Sequence, residues 1–262
     1  MKKLLAIQFA LALIFAYQPF PQAIIGGTSK IGGVSAIGGG PSGGDTIAFD
    51  GVSSTSGTNE DKSSSYSWSH TVTSNADGIL CVGVSIVDTN SAAIVSGITW
   101  NTSQNLSNIN SRPTGTGWSA NSNRVEQWCV LAPTTGTHSI AVTLAAGPAQ
   151  TSLAGAISLT GVHQSLTVDA INGASSATGQ PNGTILTVAA NDWVLDVIVD
   201  NSGDTMFATA PSTLRWSFLD SNPRASGGST QGPKVSPGTV TMAWTGLNDA
   251  WSQSLIALKP GP

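Results

Sequence analysis

From Asp45 onward, apolar and polar residues alternate in short runs, and no helical spacing interrupts them. In SYSWSHTVT, Tyr66, Trp68, His70 and Val72 share one face and Ser65, Ser67, Ser69, Thr71 and Thr73 the other. In HSIAVTL, Ile140, Val142 and Leu144 oppose Ser139, Ala141 and Thr143, and in TVTMAWT, Val240, Met242 and Trp244 oppose Thr239, Thr241, Ala243 and Thr245. Successive strand side chains point to opposite faces, so each run predicts a strand with one buried and one hydroxyl-bearing face. The pattern as a whole predicts antiparallel sheets packed face to face, with turns expected at Asp50-Gly51, Asp77-Gly78, Asn172-Gly173 and Asn182-Gly183.

The pattern also repeats at long range. DGILCVGVSIVD from Asp77 resembles DWVLDVIVD from Asp192, GTHSIAVT from Gly136 resembles GTVTMAWT from Gly238, and SLAGAISL from Ser152 resembles SQSLIALK from Ser252. Two halves in the same order imply either two domains of about 90 residues or one sandwich with internal pseudosymmetry. No linker separates them, because residues 161–184 carry apolar Val162, Leu166, Val168 and Ile171, and one sandwich over 45–262 is the expected arrangement.

Upstream the pattern changes. MKKLLAIQFALALIFA joins two lysines to an apolar run too short to span a bilayer, and reads as a secretory signal peptide ending at Ala16, or alternatively at Ala23. Residues 17–44 then form a Gly-rich arm with a hexapeptide repeat, IGGTSK, IGGVSA, IGGG, that starts at Ile25, Ile31 and Ile37. Even spacing puts the three isoleucines on one face of an extended chain. The arm is therefore either a tether or an apolar strand that pairs with a neighbouring subunit.

SWSHTV, ILCVGVSIV, VEQWCVLAPTTGTHSIAVTL, AISLTGVHQS and a last strand ending in LIALKP together resemble concanavalin-like jelly-roll β-sandwich modules, found in secreted and surface proteins of bacteria and in virion proteins. The resemblance spans roughly Ile47 to Pro260 and rests on strand order and turn placement. It implies an antiparallel jelly roll and an extracellular setting, and brings no catalytic residues with it.

Composition narrows the chemistry. Only 9 % of residues are charged, the formal charge is −4, and no basic cluster exists to neutralise phosphates, so nucleic acid is not an expected partner. No later segment is apolar and long enough for a helical membrane span. Cys81 and Cys129, both in strand-like runs, are a disulfide candidate in an oxidising compartment or else two small buried thiols. The sequence has no E-x-D-x-x-E pattern. Asp196, in mid-strand on the face of Val194, Ile198 and Asp200, is expected to point away from the core as the counterpart of Cys81, and with Asp200 it would lie in a ligand groove if that outer face were concave. Asp200, Asn201 and Asp204 in DNSGD offer oxygen ligands for a calcium ion, the only cofactor considered.

Tryptophan is the enriched residue, with eight in the chain. Trp68, Trp193 and Trp244 fall on apolar stripes and belong to the core. Trp118, in the polar segment 101–123, Trp216 beside Arg215, and Trp251 beside the Asn248-Asp249 turn are expected in loops, where aromatic faces could stack on sugar rings. The expected function is non-catalytic recognition or adhesion outside the cell, with a glycan or surface polymer as partner. The alternatives are a structural subunit of a filament, coat or virion that meets copies of itself through the arm, and a glycan-active enzyme using Asp196.

Overall fold

The computed structural model describes residues 46–55, 63–88, 94–113, 122–146, 151–165, 167–201, 203–219, 224–246 and 248–262. Trp118 and the arm isoleucines Ile25, Ile31 and Ile37 lie outside them. Among the described residues every element is a strand, all pairings are antiparallel, and no helix is long and apolar enough to cross a membrane.

The first half runs β1 (Ala48–Ser54), β2 (Ser65–Val72), β3 (Ile79–Asp88), β4 (Val95–Trp100), β5 (Gln104–Asn105), β6 (Ser107–Pro113), β7 (Ser122–Leu131), β8 (Gly136–Leu144) and β9 (Thr151–Thr160). The second runs β10 (Val168–Ser176), β11 (Asn182–Thr187), β12 (Asp192–Asp200), β13 (Phe207–Ala208), β14 (Thr213–Leu219), β15 (Ala225–Lys234), β16 (Gly238–Thr245) and β17 (Trp251–Leu258). The first half forms sheets β1-β9-β3-β7-β6 and β2-β8-β4-β5, and the second forms β10-β17-β12-β15-β14 and β11-β16-β13. Strand for strand the orders agree, so the sequence repeat is a repeat of topology.

The halves are not the two layers of one sandwich. Each builds its own pair of facing sheets, and the two five-stranded sheets then pack on one another, making four layers. Leu80, Val82, Val84 and Ile86 of β3 face Ile98, Trp100, Ile140 and Val142 in the outer layer. Ile79, Cys81 and Val87, from the opposite face of the same strand, meet Trp193, Leu195, Val197 and Val199 of β12 in the central layer. Strands of the outer sheets keep the one-sided burial that their alternation predicts, as in β11, whereas β9, β12 and β17 are buried on both faces almost throughout. The near-continuous apolar runs of β3 and β12 reflect that double burial.

Small residues let the inner sheets approach. A Cβ on Gly83 would lie 2.2 Å from Val197, and one on Gly155 2.3 Å from the Trp216 indole. Ser85 Oγ donates to the Ile198 carbonyl at 3.1 Å and Ser226 Oγ donates to Ser85 Oγ at 2.6 Å, so buried hydroxyls also bridge the layers.

Of the four expected turns, only Asp77-Gly78 is one. Asp50-Gly51, Asn172-Gly173 and Asn182-Gly183 lie inside β1, β10 and β11. Asp50 is the extra residue of a β-bulge between Phe49 and Gly51, and Asp169 is the extra residue at the same register in β10, between Val168 and Ala170. Asp50 accepts hydrogen bonds from the Thr73 amide and hydroxyl just past β2, and Asp169 accepts them from the Val188 and Ala189 amides just past β11. Both halves therefore use a bulged aspartate to tie the first strand of the inner sheet to the end of the next strand in the outer one.

Candidate functional site

Pairing registers superpose the two halves residue by residue. Gly83 pairs with Gly155 as Val197 pairs with Ser254, and Asn110 pairs with Gln127 as Trp216 pairs with Gly228. Both β6 and β14 carry a bulge, at Asn108/Asn110 and Leu214/Trp216. On this register Ile79 corresponds to Trp193, Ile109 to Arg215, Val168 to Phe49 and Leu131 to Gly232. These residues line two equivalent grooves, one between the terminal strands β6 and β10 and the other between β14 and β1.

The second groove is filled by its own chain. The Trp193 indole lies over Gly232, where a Cβ would come within 2.4 Å of the ring. The Arg215 guanidinium carbon sits 3.9 Å from the Phe49 ring centroid, and Arg215 Nε donates to Thr230 Oγ1 at 2.8 Å. In the first groove Ile79, Ile109 and Val168 are smaller than Trp193, Arg215 and Phe49, and although Leu131 replaces Gly232 a space of about 630 Å³ remains. Ile79, Ile109, Leu131 and Val168 form its apolar surface, with Cys129 beneath, and Asn105, Ser107, Ser165 and Thr167 supply amide and hydroxyl groups. Val168 is 37 % exposed, and Ile171, on the same strand, is 54 % exposed. A lining of this kind suits an uncharged, partly apolar and extended ligand.

Cys81 and Cys129 are directly opposite one another in β3 and β7 and are joined by a disulfide. The corresponding pair in the second half is Leu195 and Thr230, so the crosslink braces only the first half, whose Cys129 lines the open groove.

The side chains expected to bind ligand are mostly used for packing. Trp216 is 5 % exposed, its ring seated over Gly155 and Gly228 in the central layer. Trp251 is 4 % exposed because β17 already begins at this residue, between β10 and β12. Neither can stack on a sugar. Arg215 is half-buried against Phe49 and Thr230, inside the closed groove.

Asp196 does not point away from the core and is not the counterpart of Cys81. The register equates it with Val82, and it lies wholly buried between β12 and the outer sheet of the second half. It accepts hydrogen bonds from Ser229 N at 2.9 Å, Ser229 Oγ at 2.6 Å, Trp244 Nε1 at 2.7 Å and Gln253 Nε2 at 2.6 Å. Gln253 Nε2 also donates to the Met242 carbonyl, and its Oε1 accepts from Gly183 N, so the network staples β12 and β17 to β11 and β16. Burial pushes the Asp196 carboxyl above its ordinary range, against the pull of these donors. A carboxyl that meets only neutral donors and no solvent is an internal fastener, without access to a substrate.

Of the DNSGD residues, Asp200 is wholly buried and Asp204 exposed, and Arg224 Nη1 donates to the Asn201 carbonyl at 3.4 Å. Among the described residues no three His, Cys, Asp or Glu side chains gather at metal-binding distance.

Two polar clusters carry no mark in the sequence. In one, Trp68 Nε1 donates to Ser53 Oγ, which contacts His70 Nδ1 at 2.8 Å; His70 Nε2 contacts Ser158 Oγ at 3.1 Å, and Ser158 Oγ donates to Asp50 at 2.7 Å. Ser, His and Asp are thus in contact, but Asp50 holds the serine and not the imidazole, and His70 is 2 % exposed. Burial lowers the His70 pKa to about 4, so the ring is neutral and structural. In the other, Asp192 is buried beside Asp169, and its pKa is pushed up to about 7 by burial first and then by the hydrogen bond and charge of Asp169. The signal that could have found both clusters is the pair of bulged aspartates, which becomes visible only once β1 and β10 are registered on their partners.

The chain matches no protein-family model, no curated protein and no solved structure.

Proposed function

We propose that this protein is an exported, non-catalytic structural subunit of an extracellular assembly such as a filament, coat or virion, and that it meets its neighbours through the open groove between β6 and β10. One observation carries this reading. Of two register-equivalent grooves, one is sealed by Trp193, Phe49 and Arg215, while the other keeps an open apolar surface beside two terminal strands. An unfilled apolar groove between strand edges is a ready acceptor for an extended segment. The lysine-led apolar N-terminus supports export, as does a disulfide in a chain with just two cysteines. Paired antiparallel sheets in each half suit the jelly-roll resemblance.

Recognition of a glycan or surface polymer is the second reading. The amide and hydroxyls of Asn105, Ser107 and Ser165 beside an apolar surface favour it, although burial of Trp216 and Trp251 leaves it without two of its three aromatic platforms. Light scattering across a concentration series separates the two. A subunit shows concentration-dependent association that Val168→Glu weakens at least tenfold, whereas a monomer at every concentration that is retained on a polysaccharide column through Asn105 and Ser107 would replace the first reading with the second.

A further inference from the structure

We propose that the open groove accepts the Ile-Gly-Gly arm of a second copy of this chain, joining subunits head to tail. The inference rests on the reading of the protein as an assembling subunit and names the segment that does the joining.

Chemistry matches on both sides. The groove is lined by apolar, amide and hydroxyl side chains and by no charged one. Residues 25–40 carry one charge, on Lys30, and in an extended chain Lys30 points away from the face shared by Ile25, Ile31 and Ile37. Two glycines follow each isoleucine, so the arm's backbone can come close to the groove walls without side-chain clashes. The groove opens at the Ser107–Ile109 end of β6, and the isoleucines of the arm stand six residues or roughly 20 Å apart in an extended chain, so a space of this size takes one isoleucine at a time. The closed groove shows how such a space is satisfied: there Trp193 and Phe49 supply the apolar filling from within the chain.

The arm precedes β1, the terminal strand of its inner sheet, and the groove at that edge is the one already filled. The open groove lies beside β6, at the far end of the order β1-β9-β3-β7-β6, four strand spacings or roughly 19 Å away. An arm of one copy seated in the open groove of another uses different surfaces on the two partners, so the contact is heterologous and able to propagate.

The test uses the full exported chain in three forms: unaltered, with Ile25, Ile31 and Ile37 all changed to Asp, and with Val168→Glu. Sedimentation velocity should show concentration-dependent growth of the unaltered chain and monomers of each variant, all three with the same melting temperature. Mixing the two variants should yield a 1:1 dimer that grows no further, because one supplies the only intact groove and the other the only intact arm. Excess synthetic peptide of residues 25–40 should dissolve the unaltered assembly. If the triple variant still assembles while Val168→Glu does not, the groove joins subunits without the arm; this inference falls and the subunit reading stands. If the unaltered chain never associates, both fall. A monomer whose β10 amides lose exchange protection in the triple variant would show capture of the chain's own arm and overturn the second copy.

Discussion

Asp196 stands where the first half has Val82, and it divides the outer core of the second half into an Ile185–Met242–Leu255 group and a Met206–Trp244 group. Removing a buried carboxyl that satisfies four donors takes the acceptor from Ser229 N, Ser229 Oγ and Trp244 Nε1 and leaves Gln253 Nε2 only the Met242 carbonyl, so Asp196→Ala should destabilise the protein by about 3–5 kcal/mol. Asp196→Asn keeps one acceptor oxygen and should lose about 1–3 kcal/mol. Urea unfolding measures both, and neither should alter groove binding at temperatures where the variant is folded. Two other residues set the pH response. His70 titrates at about 4 in the fold against an ordinary 6.5, so between those values the unfolded chain binds the extra proton and stability rises with pH. Asp192 titrates at about 7 against 3.8, so over that range the folded chain binds the extra proton and stability falls as pH rises. The two slopes oppose one another between pH 4 and 6.5. Asp192→Asn removes the falling one: its stability should climb more steeply than wild type from pH 4 to 6.5 and exceed wild type at pH 8. A variant that loses stability as pH rises through 4–7 would show that Asp192 is not the proton holder.

Among the elements, the inner strands are held by close approach. Gly155 lies under Trp216 and Gly83 under Val197, with no room for a methyl group at either. Gly155→Val should destabilise by about 3 kcal/mol through overpacking. Trp216→Ala alone leaves a cavity and costs about 3–5 kcal/mol. Together they should lose clearly less than the sum of the two, and a double-mutant cycle showing additivity would contradict the contact. The disulfide joins paired strands across 48 residues, and replacing both cysteines by serine should remove up to about 4 kcal/mol by the chain-entropy argument. At this scale the alternating patterns of β2, β8 and β16 were readable along with their faces, because each has one side on solvent. Asp50-Gly51 misled because an Asp-Gly pair serves a bulged strand as readily as a turn, and Asn172-Gly173 because its glycine makes room for Arg112 within a regular strand; only the partner elements show which.

In the whole molecule, the repeated topology makes two equivalent grooves, and larger side chains fill one of them. Carrying the closed groove's residues to the open one should reproduce the closure. Ile109→Arg with Val168→Phe places a guanidinium over a ring as Arg215 and Phe49 do, and this double variant should be monomeric by light scattering while its urea midpoint stays close to wild type. Persistent assembly would show that neighbours meet elsewhere. The long-range repeat was legible because β3, β8 and β9 kept their pattern in β12, β16 and β17. The one-residue slip that matched Asp196 to Cys81 was not detectable, because both faces of β3 and β12 are buried and the apolar run has no polar side to set its phase.

The sequence by itself determined that the part of the chain from residue 46 onward is built of strands among its described residues, that it is antiparallel and that its two halves share one order, since period-two alternation and repeated segments are local properties of the chain. It also singled out the arm, Asp196 and the cysteine pair as features needing an explanation. Tertiary structure alone decided that there are four layers, which put Trp216 and Trp251 inside, turned Asp196 into a fastener and left one groove open. The physical reason is that a strand's pattern records whether a face is covered but not by what. Whether a tryptophan meets solvent or a glycine on the next sheet depends on contacts between residues far apart in the chain.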